Sequence, residues 1–439
     1  VATRLIESTG GRLLVEEVGG LLHARGVRYA TAGRFAPPVP VTAARDTVDA
    51  TRRGPVCPQL PSRLAFVTGA VVEHLEQNEH CQVLSVTAPA DADGLPVMVW
   101  FHGGAYVTGG GEAPKYDPDD LVREGRVVVV RVSYRLGILG YLNLVDSDHP
   151  NLGLRDQIEA LRWVQANIAA FGGDPRRVTV FGQSAGGDSA LALMMCPETD
   201  GLFARAILQS APLGVQGVDR TALFAAMREA ALARLSGVSP AAADIERVLD
   251  AQVVALAVAA PFGLIGKMAF APTVGQVPMV GARDMTRAAS RVEILVGFTR
   301  DDALPFALMD ARGARLRRMG APGRAAMSLV AQAVTRRVFG APAVALAEAW
   351  RAAGGRAHTY RVDWTPGPFG ACHCIELPLL FGSRDSWTDA AMLGDGGVDE
   401  ELAVRVRAQW SAFAHGRLTE DNGQEKTYSI SLKASAART

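Results

Sequence analysis

Short runs of β-branched and apolar residues recur along the chain at 82–87, 96–101, 126–133, 177–181, 204–209, 293–297 and 358–362. Each has the length and composition of a strand. From position 126 onward, most are separated by stretches whose apolar residues fall three and four apart. Strands alternating with helices predict an α/β fold with a mostly parallel central sheet and flanking crossover helices. The clearest helix spans 154–171, where Ile158, Leu161, Val164, Ile168 and Phe171 keep helical spacing until Gly172-Gly173-Asp174-Pro175 stops it. Two Ala/Arg-rich segments, about 212–291 and 303–356, show helical periodicity with Pro and Gly breaks. Because each follows a sheet strand, they are read as helical insertions over the sheet that wall a pocket, within a single domain spanning 1–439. A helical layer packed behind the sheet is the alternative. The tail 418–439 is polar apart from a possible edge strand at 427–432.

With 439 residues and 49% hydrophobic content, the chain can bury a large core. Its formal net charge is zero, which leaves no electrostatic footprint for nucleic acid. Arginine supplies nearly all the positive charge, since only four lysines are present. The longest apolar run, 253–266, is broken by Pro261 and falls short of the roughly 20 residues of a membrane span. No charged segment followed by an apolar one opens the sequence. A soluble, cytoplasmic protein is expected, with secretion left open, as a monomer or small homo-oligomer. Five cysteines are too few for a disulfide scaffold, although Cys57 and Cys81 can pair if the compartment oxidises. Cys372-His373-Cys374 makes a poor metal site, because adjacent side chains converge badly on one tetrahedral ion. No metal or cofactor is expected.

One pentapeptide carries chemistry. Gly182-Gln183-Ser184-Ala185-Gly186 follows the strand at 177–181 and precedes a helix-capable run from Ala185 to Met195. A serine between two glycines at such a turn is the nucleophile elbow of α/β hydrolases, where flanking side chains would collide with a neighbouring strand or helix. Acyl transfer also needs a base, an acid to orient it and donors for an oxyanion. His102-Gly103-Gly104-Ala105 follows the strand at 96–101, where small residues leave backbone N–H groups unobstructed. The N–H groups of Gly104, Ala105 and Ala185 are the expected oxyanion donors.

These segments resemble the type-B carboxylesterase family, and the likeness runs from about residue 7 to about 416. Its densest stretches are Asn151 to Gln157, Ala160 to Pro175 and Val178 to Gly187, joined by Ser133-Tyr134-Arg135-Leu136 and Gly54-Pro55-Val56-Cys57-Pro58-Gln59. The resemblance implies an α/β-hydrolase fold and a triad in the order Ser184, Asp302, His373. It places the acid in Gly297 to Ala303, where Asp302 stands for the family's usual glutamate and Asp301 competes for the role. It places the base in Gly370-Ala371-Cys372-His373-Cys374-Ile375-Glu376-Leu377-Pro378, with Cys374 where the family has glycine. His102 is read as positioning the oxyanion loop. Gln183 is glutamate in many relatives, which implies weaker stabilisation of cationic substrates. Cys57 and Cys81 match the cysteines that form the first disulfide of extracellular relatives.

The expected activity is hydrolysis of carboxylic esters through an acyl-enzyme, with a small-molecule ester as substrate and no nucleic acid or membrane span. A transacylase or ester synthase using the same acyl-enzyme is the alternative. A catalytically silent interaction protein is a third reading, disfavoured because Ser184, His373, an acid and the oxyanion loop are all present.

Overall fold

A computed structural model of the chain describes residues 2–41, 46–145, 149–215, 219–279, 285–309, 311–418 and 429–432. A twelve-stranded sheet runs through it. Eleven strands form its continuous path: β1 (Ala2–Ser8), β2 (Gly11–Val18), β3 (Leu21–Arg28), β4 (Val83–Pro89), β5 (Leu95–Phe101), β6 (Val128–Val132), β7 (Gly173–Gln183), β8 (Arg205–Gln209), β9 (Glu293–Thr299), β10 (Ala357–Val362) and β11 (Ser429–Leu432). Their spatial order is β1-β2-β3-β4-β6-β5-β7-β8-β9-β10-β11, and Thr47–Asp49 pairs with β2 as the twelfth.

Along this path every pair from β1 to β4–β6 is antiparallel and every pair from β6 to β11 is parallel, while Thr47–Asp49 runs parallel to β2. The parallel half is the part expected from the sequence. Its strands read as near-continuous apolar runs because both faces are covered: Val97 to Phe101 and Val128 to Val130 are fully buried. Of the tail strand expected at 427–432, positions 427 and 428 lie outside the described residues, while Ser429–Leu432 pairs parallel to β10.

Two boundaries moved for local reasons. Arg126 is not in a strand, since it takes a left-handed conformation (φ 49°) and ends the preceding helix. The helix expected at 154–171 is α1 (Leu152–Asn167), continued by a 3-10 turn (Ile168–Phe171) that Gly172 closes at φ 74°. Of the antiparallel half, β4 matches the strand expected at 82–87, whereas β1 to β3 were not read from the sequence.

The segment 212–291 contains α3 (Thr221–Arg234) and α4 (Ile245–Ala259), and 303–356 contains α5 (Leu304–Met309), α6 (Gly320–Thr335) and α7 (Ala341–Ala352); the helix that follows the elbow is α2 (Ala185–Met194). The apolar run is interrupted, but at Gly263 rather than at the proline: α4 ends at Ala259, Pro261 sits in the opening turn of a 3-10 segment (Ala260–Phe262), where a missing N–H costs nothing, and Gly263 leaves helical geometry at φ 65°, ψ −131° before the short helix Gly263–Lys267. By length and composition alone the stretch Ile245–Lys267 is apolar enough to cross a membrane, which the expectation from the sequence did not allow. In the fold, Val248, Ala251 and Ala255 of α4 are buried and the helix packs on α3.

Candidate active site

Strand β7 ends at Gln183 and α2 begins at Ala185, so Ser184 is the turn between them. Its backbone lies at φ 56°, ψ −120°, a strained conformation for a residue with a side chain, costing about 1–3 kcal/mol. Two hydrogen bonds hold it there: its N–H donates to Gln209 O (2.7 Å), and its own carbonyl accepts from Asp188 N (3.0 Å). The glycine requirement is steric. A Cβ on Gly182 would stand 2.4 Å from the Gly186 carbonyl carbon, and one on Gly186 would stand 1.9 Å from Phe101 O. Helix α2 and strand β5 therefore approach through the space that the missing side chains leave.

The loop after β5 lies beside the elbow. Gly104, Ala105 and Tyr106 all have positive φ (118°, 54° and 60°), so three consecutive residues turn the chain tightly. The glycine is needed here, because a Cβ on Gly104 would meet Thr108 O at 2.0 Å. The conformation is fixed from below. Tyr106 Oη donates to Asp188 Oδ2 (2.7 Å) and accepts from Ser189 Oγ (3.2 Å), and all three residues are buried. These bonds tie the loop to the first turn of α2. Tyr134 Oη donates to His102 O (2.7 Å), and the His102 ring stacks on Tyr134 at 4.5 Å. Burial pushes His102 down to about 4, so its ring is neutral and serves as loop scaffolding. Among the described residues, the N–H groups of Gly104, Ala105 and Ala185 are not used by hydrogen bonds within the chain.

Asp302 and His373 meet in the interior. His373 Nδ1 is 2.7 Å from Asp302 Oδ1, and the two side chains are 1% and 0% exposed. The other carboxylate oxygen accepts from Thr299 N (2.8 Å) and Ser210 Oγ (3.0 Å), so Asp302 is held at three points. Asp301 turns elsewhere: Oδ2 accepts from Ala371 N (2.9 Å) and from Arg300, and its own N–H donates to Ala371 O (2.9 Å). It thereby pins the loop that carries His373. Cys374, where the resembling family has glycine, takes φ 73° and is buried. Nε2 of His373 is 3.1 Å from Gln183 Nε2, and among the described residues this amide, rather than Ser184 Oγ, is its hydrogen-bond partner.

Several groups that shape the site gave no separate signal in the sequence. Ser210, at φ 44°, supports Asp302 directly after β8. Glu376 is fully buried, and neither of its carboxyl oxygens has a hydrogen-bond partner among the described residues. Burial, then the nearby Asp302 charge, pushes it up to about 8. Phe306 and Phe339 come from the 303–356 segment and pack on the His373 ring at 5.1 and 5.4 Å. The polar ends of apolar strands were the available hint for Ser210; the others depend on packing across the fold. Cys57 and Cys81 are both buried free thiols, and Cys81 is raised first by a hydrogen bond with Cys57 and then by burial.

A cavity of about 610 Å³ opens over Ser184, His373, Gly104 and Ala105. Val215, Leu256 and Met268 from the first helical segment, and Phe306, Met327 and Phe339 from the second, contribute to its apolar wall. The arrangement therefore joins a strained serine, unused backbone donors and a buried imidazole–carboxylate pair at the floor of one apolar chamber.

The sequence profile of the Carboxylesterase family matches residues 21–319. A probable N-octanoylanthranilate hydrolase of Rhodococcus erythropolis is 40% identical over 90% of this chain and 89% of its own length. The para-nitrobenzyl esterase of Bacillus subtilis is 33% identical over 94% of this chain and 89% of its own. Among solved structures, a PNB esterase superposes with a TM-score of 0.80 at 30% identity, covering 98% of this chain and 95% of that one. A carboxylesterase of Geobacillus stearothermophilus gives 0.78 at 29%, covering 98% and 96%. The chain belongs to the carboxylesterase family: it has the α/β-hydrolase fold and is a carboxylic ester hydrolase of the serine acyl-enzyme type.

Proposed function

We propose that Ser184 is the nucleophile, His373 the general base and Asp302 the acid that orients it, with the N–H groups of Gly104, Ala105 and Ala185 as the oxyanion donors. The observation that carries this reading is the 2.7 Å contact between Asp302 Oδ1 and Nδ1 of His373, whose side chain lines the cavity that also contains Ser184. With Nδ1–H donated to Asp302, the lone pair of neutral His373 sits on Nε2. That nitrogen takes the Ser184 proton as Oγ bonds to the ester carbonyl carbon, and the carbonyl oxygen becomes an oxyanion facing the three N–H groups. Collapse expels the alcohol, which receives the proton from His373. Water then repeats the sequence on the acyl-enzyme and releases the acid. The strained Ser184 backbone belongs to this design, since it holds Oγ at the cavity floor before substrate arrives.

The chain acts in this reading as one unit in which the segments 212–291 and 303–356 are insertions that wall the acyl pocket. A volume of about 610 Å³ with mostly aliphatic lining favours acyl groups of medium length. The octanoyl group in the name of the Rhodococcus relative agrees with that size. An active-site-directed fluorophosphonate tests the assignment: it is expected to label the native protein on Ser184 and to leave Ser184→Ala unlabelled. Labelling of the variant, or none of the folded native protein, would remove Ser184 from the mechanism.

A further inference from the structure

Among the described residues that line the cavity, the buried side chains able to hydrogen-bond are Thr108, Gln183, Ser184, Gln252, His373 and Cys374. Five of these belong to the elbow, the oxyanion loop or the loop that carries His373. Gln252 does not: it comes from α4, in the first helical segment, and is 3% exposed. Its amide is held at one end. Oε1 accepts from Ile138 N (2.8 Å) in the short helix Gly137–Tyr141. A backbone N–H can only donate, so the held atom is the oxygen and the other end of the amide is the NH2 group. Among the described residues Nε2 has no hydrogen-bond partner, and it is not sealed from solvent, so it opens on the cavity that Gln252 lines. The neighbouring backbone is shaped around this amide. Gly137 lies at φ 50°, and a Cβ there would stand 1.9 Å from Gln252 Oε1. The Gly137 N–H donates to Tyr106 O, which ties the same short helix to the loop of Gly104 and Ala105.

From this we infer that Gln252 sets substrate specificity: its Nε2 donates to an oxygen carried along the chain of the ester, a ketone, ether or hydroxyl, so the pocket prefers oxygen-bearing chains to plain alkyl ones. The inference rests on the reading of Ser184 as nucleophile and adds the recognition of a second polar group on the substrate. Filling the chamber with an all-carbon chain shuts a polar N–H away from water with nothing to bond. An oxygen at the right position restores the bond, and one a methylene away does not, because Ile138 and Gly137 fix where the amide points. Discrimination by position along the chain is therefore the mark of this donor, whereas a merely polar pocket would favour oxygen at every position alike.

An oxygen scan tests it on the native enzyme. One arm uses p-nitrophenyl esters of straight-chain acids in which an ether oxygen replaces successive methylenes beyond the third carbon. The other uses acetates of straight-chain alcohols substituted in the same way. In one arm, one oxygen position should exceed its neighbours in kcat/KM by about tenfold, equivalent to about 1.4 kcal/mol. The arm in which the peak falls tells whether Gln252 faces the acid or the alcohol chain. Gln252→Met keeps the length and removes the donor, and it should flatten the scan, with circular dichroism checking that the variant folds. Should it not fold, the scan of the native enzyme still decides. A scan without a peak in both arms, or a peak that persists in folded Gln252→Met, overturns the inference, and the esterase reading stands because the esters are still cleaved. If the folded native protein hydrolyses none of them, both fall together.

Discussion

The amide nitrogen of Gln183 lies 3.1 Å from His373 Nε2, the ring nitrogen proposed to receive the Ser184 proton. Gln183 is the residue immediately before the nucleophile and is buried, so backbone connectivity puts its side chain beside the base. In the proposed mechanism this contact occupies the imidazole lone pair before substrate binds, and Ser184 Oγ comes into line in the substrate complex, where catalytic hydrogen bonds tighten. Replacing the amide by a carboxylate changes the electrostatics and little else. In Gln183→Glu an anion at this distance favours the protonated ring, so the acid limb of kcat/KM against pH should move to higher pH by about one unit or more. An unmoved limb would mean that Gln183 does not face the base during turnover.

Asp302 and Asp301 separate by the groups they touch. Asp302 orients His373, whereas Asp301 holds Ala371 and pairs with Arg300. Asp302→Asn should lower kcat by about 10⁴-fold, because an amide at this position favours the wrong imidazole tautomer. Asp301→Asn should cost less than about tenfold and lower thermal stability modestly. Steady-state kinetics on both variants decides it, and the reverse ranking would shift the acid by one residue.

The segments that were legible in the sequence are those whose signal is local. Strands β5 to β10 are buried on both faces and read as apolar runs, and the elbow and oxyanion loop are contiguous motifs. Strands β1 to β3 were not seen because Arg4, Glu7, Arg12, Glu16 and Arg25 interrupt them. They form the antiparallel edge of the sheet, where β1 is largely exposed, so no continuous apolar run was required. In the run at 253–266 the interruption lies at Gly263, two residues past Pro261, because the proline is accommodated in the first turn of a 3-10 segment. Within the site, the Ser210–Asp302 and Tyr106–Asp188 contacts join residues 92 and 82 positions apart, and only the folded sheet brings them together.

The Tyr106–Asp188 bond gives the next expected outcome. Tyr106→Phe removes one donor from a buried carboxylate and one tether from the loop that carries Gly104 and Ala105. Stability should fall by about 1–3 kcal/mol. If the tether matters for oxyanion geometry, kcat should fall with little change in KM, since the loss is felt in the transition state. Urea unfolding and steady-state kinetics measure the two effects separately. A drop in stability with unaltered kcat would show that the loop keeps its shape without the tyrosine.

Glu376 makes the molecule's stability depend on pH in an unusual direction. Its carboxyl is fully buried without a hydrogen-bond partner among the described residues and is pushed up to about 8 by desolvation and by Asp302. In the unfolded chain it titrates near 4.5. Between these values the native protein holds a proton that the unfolded chain has released, so this group's contribution falls as pH rises, by up to about 1.4 kcal/mol per pH unit. The loss begins above about pH 4.5 and levels off above about pH 8, where both states are ionised. Glu376→Gln removes the titration and keeps the shape. Its stability relative to the native protein should therefore improve steadily between pH 5 and pH 8. Urea unfolding of both proteins at several pH values yields the difference directly, free of the other groups that titrate in each. A gap that stays constant over that range would mean that Glu376 is already ionised in the folded enzyme, with a partner that stabilises its charge.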